Sequence, residues 1–139
     1  MAAWTELSFE DVVNGCPTEI WTLYKSWVDA NPPKAHRLRE LVLETVATFR
    51  GAVAANPACV VDPNPATVPT TGFRHALNLV IFNLGMEMGV PFSSDVATLA
   101  TRADVWLRMV QSGTINPVTP VGADASPSYR VFTETRAFE

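Results

Sequence analysis

Charge is what this sequence has least of. Charged side chains make up 17% of its 139 residues, against about a quarter in an ordinary soluble domain. Apolar residues make up 47%, which excludes a disordered chain, because disorder needs high charge and low hydrophobicity. Basic groups are scarce as well, 10 Lys and Arg against 14 Asp and Glu. That balance argues against a surface built to grip nucleic acid. The two cysteines, Cys16 and Cys59, form no CxxC pair, and they read as reduced, small apolar groups. Long apolar runs are missing too. The most apolar stretch, 73–90, is interrupted by Arg74, His75, Asn78, Asn83 and Glu87, and a membrane span needs about 20 apolar residues. The opening MAAWTELSFED is acidic and lacks an apolar centre, so it does not read as an export signal, and synthesis in a reducing cytoplasm is expected.

Proline, by contrast, is plentiful and unevenly placed. It punctuates a length that suits a single domain. Ser8 reads as the cap of a short helix through Asn14, with Glu10 and Asp11 in its first turn. A turn at Asn14-Gly15-Cys16-Pro17 precedes a second segment from Thr18, where Ile20, Leu23, Tyr24 and Trp27 form an i, i+3, i+4, i+7 stripe. Asn31-Pro32-Pro33 stops it. The proline-free block Lys34–Ala55 keeps Leu38, Leu41, Val42, Thr45, Phe49 and Val53 on one face and predicts an amphipathic helix. Pro57, Pro63, Pro65 and Pro69 then mark an irregular loop over 56–72, within which Cys59-Val60-Val61-Asp62 suggests a short strand. A loop this long in a compact domain is often functional.

Phe73, Ala76, Leu77, Val80, Ile81, Leu84 and Met88 predict another helix. Leu79, Phe82 and Met86 widen its stripe until it is apolar nearly all round, as in a helix central to a bundle or covered by a partner. Ser94 caps the last helix, whose stripe is Val96, Leu99, Ala100, Ala103, Trp106, Leu107 and Val110. Gly113 marks its stop. From Asn116 onward the chain is a tail that contains Pro117, Pro120 and Pro127 and is too short for a core of its own, yet it closes on Tyr129, Val131, Phe132 and Phe138. The expected fold is mainly α: a small helical bundle over 1–115 with a long proline-rich loop, and an extended C-terminal interaction tail over 116–139.

Motifs that carry chemistry are sparse. A zinc site would need Cys16, His36, Cys59 and His75 to converge without any paired spacing, so no metal and no cofactor is expected. No GxSxG, HExxH, P-loop or GxGxxG occurs, and no catalytic residue is assigned. Glu87 reads as the wet edge of its helix or as an arginine partner. The stretch LGMEMGVPFSSDVATLATRA has the outline of a helix-turn-helix, which makes a small DNA-binding regulator the alternative reading. Its recognition positions, however, are Ser93, Ser94, Asp95 and Thr98, with no basic group before Arg102, and an acidic face repels phosphate. A structural helix hairpin is the preferred reading. Trp21, Trp27 and Trp106 read as core, whereas Trp4, near a chain end, reads as an intermolecular anchor.

The order of elements, with the closing WLRMVQSGTI and the tail SPSYRVFTETRAF, resembles the small head–tail connector (adaptor) proteins of tailed bacteriophages. The matching features are Leu107 to Gly113 at the end of the last helix, Arg130 to Thr133 in the tail, and the final aromatic Phe138. The loop over 56–72 is longer than that pattern. The resemblance implies a non-enzymatic structural protein of the virion neck, assembled as a homo-oligomeric ring, commonly of twelve. The ring joins the portal to a stopper or tail-completion protein and leaves a channel open for genome ejection. DNA passes without specific binding, and no membrane is involved. Tyr129, Arg130, Val131, Phe132, Arg136 and Phe138, together with Trp4, are the expected contacts to the portal or a neighbouring subunit.

Overall fold

The computed structural model describes residues 3–89 and 94–118. Ser8 opens α1 (Phe9–Gly15). Its Oγ accepts from the Asp11 amide at 3.3 Å while Asp11 Oδ2 accepts from the Ser8 amide at 2.9 Å, a reciprocal cap that satisfies two end groups at once. After Cys16-Pro17 the chain enters α2 (Thr18–Ala30). Pro32 and Pro33 hold the next residues in a 3-10 turn, Pro32–His36, and α3 follows (Arg37–Ala54). The α-helix therefore starts three residues later than the proline-free block suggested, because the turn begun by the prolines runs on to His36.

The predicted α3 face is buried as expected, from Leu38 to Val53, with Val46 and Ala52 added. On α2, Ile20 and Tyr24 are buried, but Leu23 remains 45% exposed. Trp21 stacks on Tyr24 at 5.3 Å, and this rotates the packed face toward Trp21 and away from Leu23. The central helix α4 (Phe73–Met88) buries Ala76, Leu77, Val80, Ile81 and Leu84 and packs against both α3 and α5 (Ser94–Gln111). Ser94 is the first helical residue of α5. Gly89 (φ 72°) and Gly113 (φ 82°) end the last two helices in the left-handed region, where a Cβ is strained. The predicted helix hairpin is thus α4 packed on α5, while its turn residues 90–93 lie outside the described residues.

Two strands were not legible from periodicity. β1 (Trp4–Glu6) and β2 (Thr67–Pro69) pair antiparallel, Trp4 opposite Pro69 and Glu6 opposite Thr67. Cys59–Asp62 forms no strand. The strand of the long loop is instead the fully buried Thr-Val-Pro further on, because Val68 and Pro69 there reach the core. Packing also continues past the expected boundary at 115. Asn56 Nδ2 donates to the Ile115 carbonyl at 3.2 Å and to Asn116 Oδ1 at 2.9 Å, and Val118 is only 3% exposed.

Candidate partner interface

Trp4 is the one expected partner contact that falls among the described residues. Tyr129, Arg130, Val131, Phe132, Arg136 and Phe138 lie outside them. Trp4 is half-buried on β1, with the Arg50 guanidinium 5.4 Å from its ring centre. Arg50 itself spans to the long loop. It donates to the Thr67 carbonyl at 3.1 Å, to Thr67 Oγ1 at 2.9 Å and to the Asp62 carbonyl. Trp4 therefore packs against the bundle through one part of its ring and keeps the rest accessible. Arg50 was not singled out from the sequence, where a lone arginine at the end of a helical stripe resembles any solvated charge.

A groove of about 360 Å³ opens beside β1, lined by Glu6, Leu7, Ser8, Phe9, Arg39, Val42 and Leu43. Arg39 lies over the Phe9 ring at 4.3 Å, and Leu43 on its rim is 66% exposed. A second groove of about 280 Å³ runs between α3, α4 and α5 past Glu44, Thr48, Asn83 and Asp104.

Glu87 pairs with an arginine, as one of its two expected roles. Its carboxylate receives Arg37 Nε at 2.8 Å and a second bond from Nη2, and Arg37 Nη1 also donates to Glu40 at 3.2 Å and Glu44 at 2.9 Å. The hydrogen bonds from Arg37 hold the Glu87 carboxyl below the usual carboxylate range, with Lys34 contributing. The network ties the start of α3 to the end of α4.

No match to a family model, a curated protein or a solved structure was found.

The other titratable groups are dispersed. The His75 ring lies tilted against Trp106 at 5.6 Å, and burial lowers its pKa. Burial raises the Cys16 thiol to about 11, which keeps it protonated and unreactive at neutral pH. Cys16 and Cys59 are unbridged, and among the described residues no three His, Cys, Asp or Glu side chains gather as metal ligands. No described helix is long and apolar enough to cross a membrane. On α5, Asp95, Thr98 and Arg102 are all exposed, and the Thr98 hydroxyl is turned back onto the Ser94 carbonyl at 2.8 Å.

Proposed function

We propose that this chain is a structural adaptor of a tailed-phage neck, a ring subunit that joins portal to stopper or tail and leaves a DNA channel open. The observation that carries the reading is apolar surface on several separate elements of an under-charged helical bundle. Leu23 on α2, Leu43 on α3, Met86 on α4, and Leu99 and Val105 on α5 are all substantially exposed. A ring subunit meets neighbours on two sides and axial partners at two ends, so it needs small adhesive areas on many faces rather than one large patch. The net charge of −4 suits a channel wall along which DNA slides without being held.

In this reading the tail aromatics Tyr129, Phe132 and Phe138 anchor in a partner, with Arg130 and Arg136 pairing with its acidic groups. The protein acts in the virion neck and performs no catalysis. The test is co-expression with a tailed-phage portal protein, followed by sedimentation and imaging. Rings seated on the portal are expected. A chain that binds neither portal nor capsids overturns the reading, and a salt-dependent DNA affinity lost on substituting Thr98 or Arg102 revives the regulator alternative.

A further inference from the structure

The two-stranded sheet is closed on one side and open on the other. The Thr70 amide donates to the Ala3 carbonyl at 2.9 Å and the Leu7 amide to the Ala66 carbonyl at 3.2 Å. With Thr5 opposite Val68, the alternation of an antiparallel ladder turns the main-chain groups of residues 3, 5 and 7 toward β2. The same alternation turns those of Trp4 and Glu6 outward.

The outer side of β2 is already closed. Pro69 has no N–H to offer there, and the Thr67 carbonyl accepts from Arg50. Among the described residues the outer side of β1 has no such cover. Among the described residues nothing hydrogen-bonds to the main-chain N–H and C=O groups of Trp4 and Glu6. Such an edge is a template for another strand, and the groove ending at the exposed Leu43 lies directly beside it.

We propose that in the free subunit this edge is occupied by the chain's own C-terminal segment, residues 129–133, as a third antiparallel strand. The string Tyr129-Arg130-Val131-Phe132-Thr133 is built of β-branched and aromatic residues around one charge, and no proline or glycine follows Pro127; this is the composition of a strand. One register satisfies both sides. Arg130 opposite the exposed Glu6 makes an opposite-charge pair, Phe132 opposite Trp4 makes an aromatic pair, and Val131 lies opposite Thr5. Such cross-strand pairs are the units that stabilise a sheet. In the same register Tyr129 falls beside Leu7, over the groove lined by Arg39, Val42 and Leu43.

Reach favours the chain's own segment. The described chain ends at Val118, and Asn116 is tied to Asn56 just beyond the C-terminal end of α3. β1 and its groove lie along α3, from Arg50 to Arg39. An α-helix of this length spans about 27 Å, and the ten residues 119–128 extend to about 33 Å. A tether this short keeps the strand at a local concentration in the millimolar range. The proposal concerns the free subunit, so it stands or falls separately from the adaptor reading.

Hydrogen exchange on the full chain tests it. In this register Phe132 and Arg130 exchange main-chain bonds with β1, whereas the Val131 N–H points away. The Trp4 and Glu6 amides are expected to exchange about tenfold more slowly in the wild type than in Phe132→Pro. Val131→Pro, which loses no bond to β1, is expected to retain that protection. The amides of Thr5 and α3 report that the fold is intact in both variants. Protection that is independent of protein concentration in a monomeric sample supports the intramolecular strand. Trp4 and Glu6 amides that exchange equally fast in the wild type and Phe132→Pro overturn it. Protection that appears only with dimers or larger species also overturns it, by assigning the strand to a second copy.

Discussion

Arg37 and Glu87 were separate charges in the sequence, 50 positions apart, and the fold makes them one contact. Both side chains are about three-quarters covered, and the geometry is forked, so the pair exceeds an ordinary surface bridge in value. Glu87→Gln is expected to cost about 1 kcal/mol at pH 7, read from urea unfolding. The sign of the pH effect follows from the direction of the shift. A carboxyl held below its ordinary value contributes stability that is fully present above about pH 4.3 and is lost as pH falls through its folded value. The wild type should therefore lose more stability than Glu87→Gln between pH 5 and pH 3. At Gly72 the constraint is space. A Cβ there would meet the Trp106 ring at 2.5 Å, and that ring is itself stacked on Phe49 and packed against a tilted His75. Gly72→Ala is expected to destabilise by about 1–3 kcal/mol, with a matching fall in thermal midpoint. The Glu87 partnership was foreseen as a type of contact, but its partner was not, because an ion pair between two helices leaves no periodic trace.

At the scale of elements, hydrophobic period 3.6 located every long helix. Proline and glycine located their ends to within a few residues. What period could not resolve was how far around each helix the core extends. The predicted stripe of α4 ran nearly all round, yet Met86 is 60% exposed while Leu84 is fully buried. Leu84→Ala is expected to cost about 2–5 kcal/mol and Met86→Ala within about 0.5 kcal/mol; chemical denaturation of the two variants side by side checks the contrast. The strands escaped for a different reason. Three residues cannot show alternation convincingly, and β1 pairs with a segment more than 60 positions away. The apolar Cys59–Asp62 run attracted the strand assignment because it looks more strand-like locally than Thr-Val-Pro.

For the whole molecule, the point to which packing runs past the last helix matters most. The sequence placed it at 115, after the last helical stripe. The structure carries packing through Val118, because the buried Asn56 side chain holds the Ile115 carbonyl and the Asn116 side chain. Brief digestion with elastase is expected to leave a core that retains Val118. A core ending before Asn116, identified by mass spectrometry, would contradict that anchoring. Asn56 is invisible as an anchor in the sequence, since an asparagine before a proline reads simply as a helix stop.

By itself the sequence determined what depends on neighbours along the chain. That includes the helices and the centres of their buried faces, the caps at Ser8 and Gly113, and the under-charged composition with its proline-rich loop. These follow from local sterics and from burial of one face of a regular helix, both of which repeat at short range. Only the tertiary structure decided the β1–β2 pairing, the Arg37–Glu87 clamp, the exposure of Leu23 and Met86, and the hold of Asn56 on Ile115 and Asn116. Each joins segments far apart in sequence, and such contacts depend on how whole elements pack together. The scarcity of charge follows the same division: composition revealed it, but packing decided which apolar side chains are left on the surface for a partner to cover.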